Sequence, residues 1–473
     1  MADVARTHLA LLDGAAMGPR QYAIWLLASG GTLLDGFSIF SLGVAMALVT
    51  QQFNLSPLMV GLIGSALVLG AAFGAAFGGS AADRFGRKPL LILDMAILAA
   101  GAFMSAFSEA HYHLLVGQLL VGVGIGIDFP VSASYVSETM PKKARSRMMV
   151  ATISLQSVGM LVGAAVALTT LGVWGSGEAW RPIVGATGIG ASLFLLARLW
   201  LGESPRWLMQ HGCGPEATRI VSKLAATEAP PLLVRPEKKE EGGLALLFSK
   251  PYRTRTLLVS VPWFLMDIAT YGVGLFTPVI LGAIHISSST AGPLSVEYAN
   301  AQGSAAIDLF LLFGFLIGLW AVPRFGRIHM QVAGFAGMTL GMLLLLFAVT
   351  AGSASSFHLV FVFAGFILFN LAMNAGPNAA TFTLAPELFP TSVRASASGF
   401  AAASAKVGAT LGIFVLPQVK ESAGVAGVLV LMALVSVCGA MATLIFARNI
   451  QVPEGIGLEE PSQEPDRLPL ASR

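Results

Sequence analysis

The chain has 473 residues, of which 55% are hydrophobic and 11% are charged, with 28 Lys and Arg against 25 Asp and Glu. A soluble domain carries about 25% charged residues, so this composition excludes a soluble globular fold and indicates a polytopic membrane protein. The net charge of +3 and the presence of only two cysteines argue against a nucleic-acid partner, a disulfide framework and a cysteine-based metal site. No metal and no cofactor are expected.

Hydrophobic runs of about 20 residues, each long enough for one membrane crossing, predict twelve transmembrane helices. They cover 22–49, 57–81, 88–107, 112–138, 147–171, 181–202, 255–283, 300–322, 328–351, 356–384, 393–418 and 423–447. No short apolar run with a small-residue cleavage site precedes them, so the first run is expected to be a retained span.

The only long polar segment between hydrophobic runs separates the sixth helix from the seventh. The sequence therefore predicts two halves of six helices joined by a linker. The expected divisions are an N-terminal segment 1–21, a first half 22–202, a linker 203–254, a second half 255–447 and a polar tail 448–473.

The cations are distributed unevenly between the loops on the two sides. They cluster around Arg84, Arg145 and Arg324, whereas the opposite loops 50–56 and 284–299 contain none. This pattern predicts that both termini are cytoplasmic and that the chain lies in a bacterial inner membrane or a plasma membrane. We expect a monomer.

The two halves share short motifs. Phe-Gly-Arg at 85–87 recurs at 325–327, and Glu-x-x-Pro-x-x-x-Arg at 138–145 recurs at 387–394. Parallel repeats of six helices are typical of secondary transporters.

The segment 79–88 places Asp83 beside three cations and the turn residue Gly86. It resembles the signature loop of the major facilitator superfamily, which implies the all-α major facilitator fold and a loop that holds one face shut. Pro323 stands where Asp83 would repeat, so the second copy is expected to form a weaker gate. The residues expected to gate or brace this end are Gly79, Asp83, Arg84, Gly86, Arg87, Glu138, Arg145, Arg327, Glu387 and Arg394.

Two further segments, Glu-Ser-Pro-Arg-Trp-Leu at 203–208 and Pro-Glu-Leu-Phe-Pro-Thr at 386–391, resemble the sugar-porter branch of that superfamily. A closer resemblance is to its proton-coupled phosphate symporters. It is carried by Gly-Val-Gly-Ile-Gly-Ile-Asp-Phe-Pro-Val-Ser-Ala at 122–133, Trp-Phe-Leu-Met-Asp-Ile-Ala-Thr-Tyr at 263–271, Gly-Pro-Asn-Ala-Ala-Thr-Phe at 376–382 and Ala-Ala-Ser-Ala-Lys-Val-Gly at 402–408.

The resemblance implies a set of substrate-binding residues. They are Gln156, Trp263, Asp267, Tyr271, Asn378, Lys406 and Phe129, the last standing where that family has tyrosine. Trp263, Asp267 and Tyr271 are four residues apart and therefore share one helical face. Lys406 beside Asp267 is expected to hold an anion, and to pair with the carboxylate when the site is empty.

Charges at the bilayer centre cost about 2.5–3.5 kcal/mol each on insertion scales, so they are functional candidates. Asp35, Asp128 and Asp267 are the expected proton-coupling acids; the alternative for each is a static ion pair or a helix cap. Asp94 is expected to pack against the signature loop, and Asp308 has no assigned role.

These features predict a proton-coupled symporter of a small anion that works by alternating access, with phosphate as the first candidate. Phe129 removes one hydroxyl donor, so an organic acid is the second candidate, and a sugar is the third. A solute sensor without transport is the alternative of another class. No Ser/His/Asp, Cys/His or metal-ligand spacing is present to suggest an enzyme.

Overall fold

The computed structural model describes residues 2–174, 177–232, 244–273, 293–351, 358–448 and 450. Over these residues the chain is helical and contains no β-strand, so the prediction of an all-α fold is confirmed.

Eight helices form from the described residues between 2 and 198. They are α1 (Ala2–Gly14), α2 (Pro19–Ala28), α3 (Gly30–Phe53), α4 (Pro57–Phe85), α5 (Arg87–Ala106), α6 (His111–Thr139), α7 (Lys142–Trp174) and α8 (Trp180–Arg198). Three short helices follow in the described parts of the predicted linker: α9 (Pro205–Gln210), α10 (Gly214–Ala225) and α11 (Leu244–Leu247).

The other helices of the described residues belong to the second part. They are α12 (Arg253–Val273), α13 (Pro293–Phe325), α14 (Arg327–Ala351), α15 (His358–Met373), a π-helical turn (Asn374–Asn378), α16 (Ala379–Leu388) and α17 (Arg394–Ala447). Gly424, with φ +68°, interrupts α17 between the two last predicted spans.

Eleven of the described helical stretches are long and apolar enough to cross a membrane, and each matches one predicted span. The other predicted span, 255–283, begins in α12, while its residues 274–283 lie outside the described part of the chain. The predicted tail 448–473 falls almost entirely outside the description as well. The exact division into segments stays a prediction.

The first predicted helix differs in detail, because it is divided at Ser29 into α2 and α3. The division frees the carbonyl groups of Leu27 and Ala28, and both accept hydrogen bonds of 2.9 Å from the guanidinium of Arg198. A buried arginine thus satisfies backbone groups that an unbroken helix would bond internally.

Helices approach closely where glycine removes the side chain. A Cβ atom at Gly122 would lie 2.0 Å from the carbonyl oxygen of Leu67, and one at Gly126 would lie 2.2 Å from that of Ala71. The glycines of the fourth predicted span therefore serve packing of α6 against α4, one of the largest helix contacts of the first half.

The two halves meet mainly through α4 against α17 and α7 against α13. The loops rich in Lys and Arg lie together at one end of the bundle, between α4 and α5, α6 and α7, α13 and α14, and α16 and α17. We call this the basic end.

Candidate substrate site

A cavity of about 280 Å³ lies between the two halves. Helices α3, α6 and α7 line it from the first half, and α12, α13, α15, the π turn and α17 line it from the second. Six of the seven predicted substrate residues line this cavity: Phe129, Gln156, Trp263, Asp267, Asn378 and Lys406. Tyr271 lies in the last turn of α12, and its side chain is outside the described part of the structure.

One wall of the cavity is aromatic. The ring centroids of Phe129 and Trp263 are 6.5 Å apart, and those of Phe129 and Phe382 are 6.1 Å apart. The ammonium nitrogen of Lys406 lies 5.3 Å from the centroid of Phe129, within the range of a cation–π interaction. Phe129 therefore orients the lysine through its ring face, which requires no hydroxyl group.

Asp267 extends into the cavity from α12 and Lys406 from α17, and these two helices are in contact within one turn of both residues. A Cβ atom at Gly408 would lie 2.2 Å from the carbonyl oxygen of Phe264, so α17 and α12 are in backbone contact there. This contact brings the carboxylate and the ammonium group into one site, and the two charges interact. Trp263, one turn before Asp267, shares its face as the spacing predicts.

Asp35 does not line the cavity, but it is linked to it. The side-chain amide of Gln156, which does line the cavity, donates a hydrogen bond of 2.7 Å to the Asp35 carboxylate. A Cβ atom at Gly36 would lie 1.8 Å from the carbonyl oxygen of Gln156, so only glycine permits this approach of α3 to α7. The charge of Lys406 also acts on Asp35.

Asp128 lies outside the cavity, in a buried ion-pair cluster with Arg198 and Asp94. Arg198 donates to Asp128 at 2.6 Å and to both carboxylate oxygens of Asp94 at 2.9 Å. All three side chains are fully buried. Gly31 leaves the space that the Asp128 carboxylate fills, because a Cβ atom there would lie 2.1 Å from it.

Sequence reasoning did not include Arg198 among the candidates, and it placed Asp94 against the signature loop. The structure instead pairs Asp94 with Arg198, because the Arg198 side chain extends from the end of α8 between α5 and α6. The signal was available, since Arg198 is a cation inside the sixth predicted span. Its partners depend on tertiary packing, which a hydropathy pattern does not contain.

Three more cavity residues were not identified from the sequence. Two of them, Asn370 and Asn374, precede the predicted residue Asn378 at intervals of four residues, and the three asparagines line the cavity together. The Asn378 amide donates to the Asn374 side chain, and the Asn374 amide donates to the Asn370 carbonyl group, both at 2.9 Å. Asp308 on α13, which had no assigned role, also lines the cavity.

At the basic end, Asp83 caps a helix of the other half. Its carboxylate accepts hydrogen bonds from the backbone amide of Ala395 at 3.2 Å and from the amide and hydroxyl of Ser396 at 2.7 Å. An acid at a helix N-terminus is stabilised by unpaired N–H groups and by the helix dipole. Gly79 lies in the same contact, because a Cβ atom there would lie 2.1 Å from the Ala395 carbonyl oxygen.

Glu138 is the centre of a second contact between the halves. It pairs with Arg87 at 2.8 Å and with Arg394 at 2.8 Å, and all three side chains are buried. Arg87 also pairs with Asp83 at 3.1 Å and donates to the Thr391 carbonyl group at 3.1 Å.

The other predicted gate residues have different partners. Arg327 pairs with Glu387 at 2.6 Å, and Arg145 pairs with Asp13 of α1. Arg84 is exposed, and its guanidinium carbon lies 5.2 Å from the centroid of the Phe85 ring.

Gly86 is held by the segment that follows α8. The carboxylate of Glu203 accepts hydrogen bonds from the backbone amides of Arg87 at 2.9 Å and Lys88 at 3.1 Å, which are the first two residues of α5. Gly86 has φ +103° and ψ 162°, and a Cβ atom there would lie 2.3 Å from Glu203 Oε2. Both its backbone conformation and the available space require glycine.

Sequence and structure comparisons agree with this architecture. The E. coli protein named putative metabolite transport protein YaaU is 27% identical over 430 residues, which cover 90% of this chain and 91% of that protein. The Neurospora crassa repressible high-affinity phosphate permease is 28% identical over 475 residues, which cover 89% of this chain and 82% of the permease.

Among solved structures, the proton:xylose symporter XylE of E. coli superimposes with a TM-score of 0.75 at 19% identity, covering 93% of this chain and 97% of that one. At this identity the likeness shows the major facilitator fold alone. The family described as sugar (and other) transporter matches residues 25–457. The chain therefore has the major facilitator fold and belongs to the sugar (and other) transporter family, a family of transporters and not of enzymes.

Proposed function

We propose that this protein is a proton-coupled symporter that carries a small anionic solute across the membrane by alternating access. The observation that supports this most directly is the placement of Lys406 and Asp267 in one buried cavity between the two halves. Opposite charges inside a membrane protein are costly, and they typically mark a substrate or ion pathway.

In this proposal Lys406 binds the anionic group of the solute. Its charge acts on both Asp267 and Asp35, so in the empty site these carboxylates neutralise it. A proton that binds to either acid removes a competitor for the ammonium group, and the anion then binds Lys406 more strongly. Binding of the proton and of the anion is thereby coupled.

Asp128 has a different place in the mechanism. It lies outside the cavity and is held by Arg198, so we keep it as a candidate proton carrier whose release requires that the ion pair with Arg198 first be weakened. Asp35, which is reached through Gln156, is the acid better placed to exchange a proton with the cavity.

Alternating access requires that the basic end open and close. The contacts of Asp83 and Glu138 join the two halves there, so release of solute on that side must break them. We propose that the basic end faces the cytoplasm, because cations are enriched in cytoplasmic loops. The location in a cell or inner membrane and the monomeric state belong to the same proposal.

Phosphate remains a candidate because of the sequence resemblance, and one relative is named a phosphate permease. The cavity itself favours an organic acid. Its walls include nine apolar side chains besides Phe129 and Trp263: Ile39, Ile153, Met160, Met266, Leu311, Phe315, Phe366, Phe369 and Met373. Inorganic phosphate has no apolar part to contact such walls, whereas an aromatic or short-chain carboxylate does.

Sugar transport is the weaker alternative, although the family name and the XylE structure include sugar transporters. A neutral ligand would leave the charges of Lys406 and Asp267 without a counterpart on the solute. A solute sensor without transport is disfavoured because such a protein has no need of exchangeable acids next to a binding cavity.

The test is uptake by proteoliposomes under an imposed pH gradient, with labelled phosphate, benzoate, succinate and glucose. We expect an anion to accumulate when the side of entry is acidic. Asp267→Asn should abolish accumulation, and Lys406→Ala should weaken an anion far more than glucose. Val407→Ala, at a half-exposed neighbour of Lys406, is the control.

Binding without flux for every probe would contradict the transporter proposal. Equal losses for anions and glucose in Lys406→Ala would contradict anion binding. Phe129→Tyr separates the two anion classes, since an added hydroxyl donor should improve phosphate uptake; no change or a loss would favour the organic acid.

A further inference from the structure

The cavity contains a second carboxylate whose surroundings differ from those of Asp267. Asp308 lines the cavity from α13, and its side chain is 5% exposed. Within the described residues, its Oδ2 atom is buried and has no hydrogen-bond partner. A buried polar atom without a partner costs free energy, and rotation of the Asp308 carboxyl group would turn this oxygen toward a hydrogen-bond donor in the cavity beside it.

Asp308 lies away from the charges that would hold an anion. Lys406 interacts with Asp267 and with Asp35, whereas no interaction of comparable size links it with Asp308 among the described groups.

The neighbouring helix supports this placement. A Cβ atom at Gly314 would lie 2.9 Å from both Cβ of Asn374 and the carbonyl oxygen of Leu371, so α13 and α15 run side by side. Asp308 precedes Gly314 by six residues, and Asn370 precedes Asn374 by four, which places Asp308 on the side of the asparagines that is remote from the basic end.

We infer that the solute is a carboxylic acid with a hydrogen-bond donor, a hydroxyl or an ammonium group, at its far end, and that Asp308 accepts this donor while Lys406 holds the carboxylate. The inference rests on the proposed function and narrows its substrate class. A carboxyl oxygen without a partner is satisfied by a hydrogen-bond donor, so the matching group on the solute is a donor. A compact anion such as phosphate, held by Lys406, would not extend to Asp308 and would leave that carboxyl group unsatisfied.

The spacing suggests a sharp set of probes. In 4-hydroxybenzoate the hydroxyl lies across the ring from the carboxylate, in 2-hydroxybenzoate it lies beside the carboxylate, and benzoate has none. Binding of these three acids to the purified full chain is measured by isothermal titration calorimetry in nanodiscs. We expect 4-hydroxybenzoate to bind about ten- to a hundredfold more tightly than the other two, which is the size expected when a buried acceptor without a partner gains a hydrogen bond.

The variant Asp308→Ala should remove this preference, so that all three acids bind alike, with benzoate affinity retained or improved. Asp308→Asn, which keeps the size and one acceptor atom, should retain part of the preference and guards against misfolding as the explanation. Leu309→Ala, at an exposed position beside Asp308, is the matched control and should keep the full preference.

Equal binding of benzoate and 4-hydroxybenzoate by the unaltered protein would overturn the inference and leave anion symport standing. Binding of phosphate without either aromatic acid would do the same. If Asp308→Ala kept the binding preference but lost proton-driven uptake of both acids, Asp308 would carry a proton and the inference would be wrong. Binding of none of these anions would overturn the proposed function and the inference together.

Discussion

The two copies of the signature loop at the basic end share a sequence but differ in what they connect. In the first copy, Asp83 bonds to the N-terminus of α17, and Glu138 pairs with Arg394, so both acids of the first half reach into the second. In the second copy, Arg327 pairs with Glu387 of its own half, and Pro323 has no carboxylate to offer.

This difference assigns separate tasks to the two loops. When the halves separate at the basic end, the contacts of the first loop must break, whereas the Arg327–Glu387 pair can move with its half as a unit. The first loop therefore contributes to the equilibrium between closed and open states, and the second mainly braces α14 against α16. Four predictions test this assignment.

The largest effect is expected for Glu138→Gln. The variant leaves Arg87 and Arg394 buried without the carboxylate that both contact, and breaking a buried ion pair in this way costs about 3–5 kcal/mol. Chemical unfolding in detergent measures the loss. Glu387→Gln, which removes one pair, is the repeat-related control and should cost less; an equal or larger cost would contradict the difference between the loops.

The next largest effect is a difference in the loss of unfolding free energy between Gly86→Ala and Gly326→Ala. Both glycines have positive φ, +103° and +81°, so alanine at either should cost about 1–3 kcal/mol through backbone strain. Alanine at Gly86 also meets Glu203, whereas at Gly326 the nearest atom is 3.8 Å away.

Gly86→Ala should therefore lower the unfolding free energy more than Gly326→Ala. Thermal unfolding of the two variants beside the unaltered protein is the measurement. Equal losses would show that Glu203 moves aside without cost.

A smaller effect is expected for Asp83→Asn, which removes the charge but keeps the shape of the cap on α17. Loss of a charged cap costs about 1–2 kcal/mol, which raises the open population about tenfold. The readout is the alkylation rate of Ser398→Cys, a buried position on α17, after Cys213 and Cys438 have been replaced by serine.

Pro323→Ala, at the corresponding position of the second loop, is the matched control and should leave that rate unchanged. An increase of the same size in Pro323→Ala would show that both loops hold the end closed.

The smallest effect is a dependence on pH through Glu203, which accepts hydrogen bonds from the first loop and, among the described residues, from none of the second. Burial raises the pKa of Glu203 above its ordinary value, although hydrogen bonds from the backbone amides of Ser204, Arg87 and Lys88 lower it in part. The folded state therefore binds this proton more readily than the unfolded chain does.

The unfolding free energy contributed by Glu203 should accordingly fall as the pH rises from the ordinary glutamate pKa to the raised one. Unfolding titrations at a series of pH values above 4 measure this slope, and Glu203→Gln should flatten it. A slope that survives in Glu203→Gln would assign the proton to another group.

The sequence was sufficient for the fold because membrane crossing depends on local hydropathy, which is visible in each apolar run. Six residues of the cavity were also identified, through the resemblance to phosphate symporters, and two of them, Lys406 and Asp267, stand out in addition as charges in apolar surroundings. The roles assigned to them stay predictions.

What the sequence did not show depends on tertiary packing. Arg198 was visible as a cation but not as the partner of Asp128, because α5, α6 and α8 meet only in the folded bundle. Asp308 was equally visible as an acid. Its place in the cavity and the missing hydrogen-bond partner of its Oδ2 atom follow from tertiary packing, which no spacing rule describes. Asn370 and Asn374 are neutral and were masked by the apolar residues around them.

The π turn at Asn374–Asn378 gives the tenth span a phase that an unbroken α-helix would lack. An α-helix advances about 100° per residue, so each asparagine in the series 370, 374 and 378 would be rotated about the helix axis by about 40° from the one before it. Asn378 would then be rotated by about 80° from Asn370. The wider π turn rotates less per residue and brings Asn378 back toward the cavity. Such a turn holds one extra residue, so the segments before and after it keep the orientations of a continuous α-helix. If the turn closed to an α-helical one with every residue kept, everything beyond it would rotate by about 100°. Glu387 would then face away from Arg327, so the alignment of the cavity and that of the distant brace depend on the same turn.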